Sequence, residues 1–191
     1  MRTSKRSRKT KETAVTVRIN LDGSGQARVE TGIKFLDHLL ETFAKHGSFD
    51  LEITSRGDLP HHVAEDTMIV LGEAIDEALG KKAGIARMGD AIVPMDDALV
   101  MAAIDLSGRA FADIKVKFWK KKIEDLSTDL VAHLLQTLAV NCRMNLHVEV
   151  LRGENDHHKA EAIFKALGVA LSKACGRSRK SGEIPSTKGV I

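Results

Sequence analysis

The chain has no tyrosine, one tryptophan and an aromatic content of only 4%. Modules that bind single-stranded nucleic acid stack bases on aromatic rings, so this scarcity argues against one. There are two cysteines, Cys142 and Cys175, with no CxxC spacing. They give no disulfide framework and read as small core residues of a reducing compartment. No apolar run approaches the roughly 20 residues of a membrane-spanning helix. None follows the basic start as a signal peptide would require, so a cytoplasmic protein is expected. GxxxxGK[ST], GxGxxG and HExxH are all missing. The sequence therefore offers no P-loop, no dinucleotide fingerprint and no zincin signal.

What is present is ordinary for a globular protein: 191 residues, 43% hydrophobic and 29% charged. That is one domain or two small ones, long enough for a real core. The net charge of +3 is more than accounted for by Arg2 to Lys11, which holds six Lys/Arg and no acid. Such a run could contact RNA, but the expectation for 1–9 is a flexible, solvated basic segment without a nucleic-acid partner.

One short pattern occurs twice. His61-His62-Val63-Ala64-Glu65 and His157-His158-Lys159-Ala160-Glu161 both read His-His-x-Ala-Glu at the start of a helical pattern. Each helical residue advances about 100°, so the first His and the Glu share a face while the second His points away. One motif can hand His and Glu to one ion and its other His to a second. The repeat extends further: Phe35 to Ala44 matches Leu130 to Ala139, pairing His38 with His133. Phe49–Ile53 matches Met144–Val148, Gly72 matches Gly168 and Gly80 matches Gly176. A period near 95 residues is too long for a solenoid and reads as one unit duplicated and fused.

The patterns predict a strand over Thr13 to Leu21, a turn at Asp22–Gly25 and a short return strand over Gln26 to Glu30. Helices are expected over Ile33 to His46, Pro60 to Leu79, Thr128 to Val140 and His157 to Cys175. Further strands are expected over Phe49–Ser55, Ile92–Val93, Ala98–Leu106, Ala110–Phe118 and Met144–Leu151. Each half thus runs strands, helix, strand, helix. This is an α+β fold with helices on one face of each sheet, two halves packing helix layer on helix layer. The expected units are 10–90, 91–176 and a tail over 177–191.

His61, His62, His157 and His158 sit at helix starts, where the dipole favours the neutral imidazole that metals need. Asn155 or Asp156 is the expected cap of the second motif's helix. Glu65 and Glu161 supply oxygen at i+4. His38 lies on an amphipathic helix and His147 on the polar side of a strand; His46 and His133 remain as candidates for supporting a ligand or for a structural part. Six nitrogens and two oxygens make two sites, each of three histidines and one glutamate. Such a set suits Mn, Fe, Co, Ni or Zn and disfavours Ca or Mg. The tail Pro185-Ser186-Thr187-Lys188-Gly189 joins hydroxyls, a cation and a flexible glycine, a way to hold an oxyanion. Arg87, Arg109 and Lys165 are isolated cations near turns or on a helix. These residues alone leave a dinuclear hydrolase of a phosphorylated small molecule open, and also a metal-stabilised, RNA-associated protein.

The strings TGIKFLDHLLETFAKHG, HHVAEDT, GIARMGDAIVPMDDAL, DLSGR, NDHHKAEAIFKALG and PSTKGV resemble the imidazoleglycerol-phosphate dehydratase family of histidine biosynthesis. The likeness runs from about Thr10 to Ile191 in the family's order. It implies a tandem duplication of a unit like ribosomal protein S5 domain 2, in homo-oligomers of 24 subunits. It also implies two Mn(II) per subunit, held at subunit interfaces. One site would use His61, Glu65, His147 and His157; the other would use His38, His62, His158 and Glu161. The substrate would be a phosphorylated small molecule, D-erythro-imidazole glycerol phosphate, dehydrated to imidazole acetol phosphate. By the same likeness Glu12 is the base that removes the C–H proton. Arg87, Arg109, Lys165, Ser186 and Lys188 would hold the phosphate. One departure stands out: Gly57-Asp58-Leu59-Pro60-His61 is shorter than in family members and lacks their acidic pair.

Overall fold

The computed structural model describes residues 1–178 and 182–191. Val15, Val17 and Ile19 are buried along β2 (Thr13–Asn20) while Ala14 and Arg18 face solvent. Successive side chains of a strand point to opposite faces, so β2 offers the core one apolar face. It pairs antiparallel with β1 (Thr3–Lys9) and with β4 (Asp50–Gly57). β3 (Ala27–Glu30) lies parallel to β4 at the far edge, giving the order β1-β2-β4-β3. The second sheet is built the same way. β5 (Met88–Met95), β6 (Ala98–Asp105), β10 (Asn145–Arg152) and β7 (Phe111–Lys115) lie in the order β5-β6-β10-β7, with only the last pairing parallel. A small hairpin of β8 (Lys122–Ile123) and β9 (Leu126–Ser127) follows β7.

The helices are α1 (Lys34–Gly47), α2 (Pro60–Leu79), α3 (Thr128–Asn141) and α4 (Asp156–Cys175). α1 and α2 cover the first sheet, α3 and α4 the second; α1 then packs on α4 and α2 on α3. Phe43, Leu36, Leu39, Leu71, Ile75, Leu134 and Phe164 are almost completely buried between these layers. The two glycines matched in sequence sit at the two helix contacts. A Cβ on Gly168 would lie 2.4 Å from the Phe43 carbonyl oxygen of α1. One on Gly72 would lie 2.8 Å from Asn141 Cβ of α3. No side chain fits at either, so each helix pair reaches its spacing only through glycine.

Two expectations need correction. The basic segment 1–9 is not a free tail but edge strand β1, in register with β2 from Thr3↔Asn20 to Lys9↔Ala14. Its cations find carboxylates on α2: Arg6 reaches Glu73 (3.2 Å) and Glu77, and Arg8 reaches Asp66 (3.3 Å). Arg2 holds Asp22 at 2.6 Å, which lowers the Asp22 carboxyl to about 2. The second correction is β3, which does not return along β2 but runs beside β4. The Asp50 carboxylate accepts from Ser24 N–H (2.8 Å) and Gln26 N–H (3.2 Å), drawing the turn to β4's side of the sheet.

Candidate functional site

Both His-His motifs open helices, but the two helix starts are built differently. α2 begins at Pro60, whose fixed φ suits the first turn, with no side-chain cap. α4 is capped by Asn155, whose side-chain oxygen accepts from His157 N–H (2.9 Å) and His158 N–H (3.4 Å). Asp156 turns inward instead. It accepts from Trp119 N–H (2.9 Å) and Lys120 N–H (2.7 Å) and pairs with Lys159 Nζ at 2.6 Å. Burial alone would raise the Asp156 pKa, but these donors, Lys159 foremost, outweigh it and hold the carboxyl below its usual range. Lys159, 1% exposed, also donates to the Lys117 carbonyl at 2.8 Å. A buried ion pair thus ties segment 117–120 to the start of α4.

The first His and the Glu of each motif share a face, and each pair is met by a histidine from the helix packed alongside. His38 Nε2 of α1 lies 3.1 Å from Glu161 Oε2, and His157 Nε2 lies 3.4 Å from the same oxygen. His133 Nε2 of α3 lies 3.2 Å from Glu65 Oε1, and His61 Nε2 lies 3.8 Å from Glu65 Oε2. Within each triad the ligating atoms are all within 4.8 Å of one another. The His38 triad borders an open cavity of about 700 Å³ that Phe35, Glu124 and Asp125 also line. Burial pushes the Glu161 pKa up, but Lys165 at 2.9 Å and His38 outweigh it and keep it a carboxylate.

The second histidines turn away. The His61 and His62 rings are at 90° to each other, and those of His157 and His158 at 89°. His62 Nδ1 lies 2.9 Å from Asp58 Oδ1, and His158 Nδ1 lies 2.7 Å from Asp97 Oδ1. A carboxylate on Nδ1 fixes the tautomer and leaves Nε2 as the ligating atom. The hydrogen bond raises the His62 pKa and lowers that of Asp58. Asp97 is held far below the usual carboxylate range by N–H groups of Asn155 and Glu154 and by His158. So the loop before His61 supplies an orienting acid, Asp58.

Glu12 sits in the turn between β1 and β2, with Oε2 3.7 Å from His62 Nδ1. Thr10 Oγ1 shapes that turn by accepting from Glu12 N–H (3.1 Å) and Thr13 N–H (2.9 Å). Of the cations, Arg87 (φ 73°) is clamped by Asp105 at 2.7 Å and donates to the Pro185 carbonyl at 2.8 Å, holding the tail. The tail's end packs on Gly108, beside exposed Arg109. Ser186 Oγ accepts from Lys188 N–H at 3.2 Å. Lys165 lies apart from these, on Glu161.

Within one chain the structure does not gather either of the two ligand sets implied by the family resemblance. His147 is exposed on the outer face of the second sheet, 3.8 Å from Asp113 and 5.5 Å from the Phe111 ring, tilted 39° to it. His62 and His158 lie outside both triads, and His46 near the end of α1 joins none. The orienting acids Asp58 and Asp97 carry no assignment from the sequence, and His133 only that of a supporting or structural candidate. The repeat pairs His133 with His38, and that was the available signal. Asp97, 61 residues before His158, gave none.

The donors suit a divalent transition metal: imidazole nitrogens, single carboxylates and two histidines oriented through Nδ1. The family model of imidazoleglycerol-phosphate dehydratase matches residues 31–171. Among curated proteins, the imidazoleglycerol-phosphate dehydratase of Dehalococcoides mccartyi is 50% identical over 191 residues, covering all of this chain and 97% of that protein. That of Methanothermobacter thermautotrophicus is 51% identical over 194 residues, covering all of this chain and 98% of that protein. A crystal structure of IGPD from Pyrococcus furiosus in complex with (S)-C348 superposes with a TM-score of 0.85. Its identity is 39%, over 97% of this chain and 100% of that one. The Staphylococcus aureus imidazoleglycerol-phosphate dehydratase structure gives 0.85 at 32% identity, over 92% and 99%.

Proposed function

The chain belongs to the imidazoleglycerol-phosphate dehydratase family, hydro-lyases of histidine biosynthesis, and we propose that it performs that reaction in a metal-dependent way. The substrate is D-erythro-imidazole glycerol phosphate and the product imidazole acetol phosphate. The observation that carries the metal reading is the pair of matched triads, His38/His157/Glu161 and His61/His133/Glu65.

A bound divalent transition ion, Mn(II) in our reading, supplies Lewis-acid stabilisation of negative charge on the substrate's imidazole. The remaining work falls to the chain. The hydroxyl on the carbon joined to the ring leaves as water with the proton given up by the ring nitrogen. Glu12 then accepts the proton of the neighbouring C–H bond as the ring is reprotonated, and the enol so formed tautomerises to the ketone. Arg87, Arg109, Ser186 and Lys188, with Lys165, hold the phosphate by charge-assisted hydrogen bonds. The tie between Arg87 and Pro185 supports this by keeping the tail beside its cations. The test is an assay on imidazole glycerol phosphate that follows both ketone and inorganic phosphate. Ketone without phosphate release supports dehydration; phosphate release would point to a hydrolase.

We further propose two ions per subunit at interfaces between copies, in a shell of 24. One set is His61, Glu65, His147 and His157; the other is His38, His62, His158 and Glu161. The outward, exposed position of His147 supports this, because that imidazole faces away from its own chain's core. The halves 10–90 and 91–176 are read as tandem copies of a unit like ribosomal protein S5 domain 2. Their matched strand order supports that reading. If ions clamp interfaces, they stabilise the assembly by mass action. Light scattering should then show a large particle with Mn(II) and smaller species after chelation. A monomer or dimer at full metal occupancy would refute the interfacial placement.

A further inference from the structure

We infer that Asp66, the residue after Glu65 on α2, positions Glu12 through a chain of hydroxyls. It is a positioning residue, acting through the turn that carries Glu12. The inference rests on the reading of Glu12 as the base and names what holds that base in place.

The first observation is a chain of hydrogen bonds with one allowed direction. The Thr13 hydroxyl donates to Asp66 Oδ2. A hydroxyl has one proton to give and a carboxylate only accepts. The Thr13 oxygen is therefore left to accept from its other partner, the Thr10 hydroxyl, at 3.2 Å. Thr10 Oγ1 in turn accepts from Glu12 N–H at 3.1 Å and from Thr13 N–H at 2.9 Å. The carboxylate at the end of the chain thus sets the direction of every bond back to Glu12. Bonds in such a chain polarise one another. Thr13 is 4% exposed and the Asp66 side chain 14%, so water competes little for the inner links.

The second observation is what else the same carboxylate holds. Its Oδ1 lies 3.3 Å from Arg8 Nε. Asp66 therefore grips both strands that flank the turn, β1 through Arg8 and β2 through Thr13. On the other side the Glu12 carbonyl accepts from Asp58 N–H at 3.1 Å, and a Cβ on Gly57 would lie 2.9 Å from that carbonyl oxygen. The turn is held between the first turns of α2 and the loop that leads into them. His62 and Asp66 are four residues apart on α2 and share a face, and Glu12 Oε2 lies 3.7 Å from His62 Nδ1. Glu12 itself is exposed, so its place over that face comes from the backbone beneath it. One helix face thus carries a proposed ligand and the anchor of the base.

The test is a mutant cycle on the full-length, Mn(II)-loaded protein, assayed for ketone formation from imidazole glycerol phosphate. Asp66→Ala and Thr13→Val break the chain at different links; each is made alone and together with Glu12→Gln. We expect each alone to lower kcat about 10- to 100-fold, the scale of a reacting group displaced by about 1 Å. KM and bound metal per chain should not change. Thr13→Ser keeps the hydroxyl and should keep the rate. Glu73→Gln removes an Arg6 partner elsewhere on α2 and should also match wild type. In the Glu12→Gln background the same substitutions should cost nothing further, because residues that act through one group are not additive. Circular dichroism identifies an unfolded variant, and Thr13→Val keeps the side-chain volume if Asp66→Ala does not fold. An equal loss in both backgrounds, a loss explained by missing metal, or an equal loss in Glu73→Gln would overturn the inference. So would an unchanged kcat in the folded variants; each of these results leaves Glu12 as the base. Near-normal turnover by Glu12→Gln alone would overturn the base and this inference together.

Discussion

Stripping the protein with a strong chelator, then removing the chelator, should abolish dehydration of imidazole glycerol phosphate, and Mn(II) should restore it. The argument is energetic. The substrate's C–H bond is not acidic, and of the described cations beside the His38 triad, Lys165 is engaged by Glu161 and Lys34 lines the open cavity. A Lewis acid is worth several kcal/mol at such a step, and each 1.4 kcal/mol is tenfold, so the loss is on the order of 10³-fold or more. Co(II), Ni(II), Fe(II) or Zn(II) should substitute to some degree, because imidazole nitrogens accept them all. Mg(II) and Ca(II) should not, since they prefer all-oxygen sites. Proton competition gives a second readout. His62 has a raised pKa through Asp58, so its imidazolium, which cannot ligate, persists to higher pH than in a free imidazole. Metal uptake by the stripped protein should therefore strengthen as pH rises through and beyond the ordinary imidazole range. Turnover in a demonstrably metal-free preparation would end the metal mechanism.

The sequence spoke clearly wherever one local rule decided the outcome. The helical periods at 34–47 and 60–79, the alternation at 13–20 and the Gly-marked helix ends all appear in the structure within a residue or two. The repeat was legible because the same helix contacts demand the same residues: Gly72 and Gly168 match because both lie under a neighbouring backbone. What the sequence concealed depends on partners far along the chain. β1 looked like a solvated basic tail because its carboxylate partners, Asp66, Glu73 and Glu77, lie on a helix some 60 residues away or more. β3 looked like a hairpin return because Asp50, which redirects it, follows a whole helix later. At the site, the i,i+4 pairing of His61 with Glu65 and of His157 with Glu161 follows from helix geometry alone. The acids behind the second histidines do not. Asp58 is four residues from His62, on the next turn, and could be guessed; Asp97 arrives from the β5–β6 turn and could not.

Glu12→Gln should slow turnover by about two to four orders of magnitude, the usual worth of a positioned general base, with metal content and substrate affinity unchanged. No spacing rule selects Glu12; it is an exposed residue in a turn. Its place supports the assignment: the carboxylate lies 3.7 Å from His62 Nδ1, so a proton acceptor stands against the ring of a proposed ligand. Glutamine keeps the length and polarity of the side chain but cannot take a proton, so only the chemical step should suffer. Asp58 is the natural comparison because it faces the same imidazole. Its Oδ1 is bonded at 2.9 Å to His62 Nδ1 and at 2.7 Å to Leu59 N–H, which fixes that oxygen against the ring. Asp58→Asn should therefore weaken metal binding, by about 10- to 100-fold for such a partner, and restoring metal in excess should recover most of its rate. Excess metal should recover nothing in Glu12→Gln. If the two variants behaved alike, or if Glu12→Gln turned over at near the normal rate, Glu12 would not be the base.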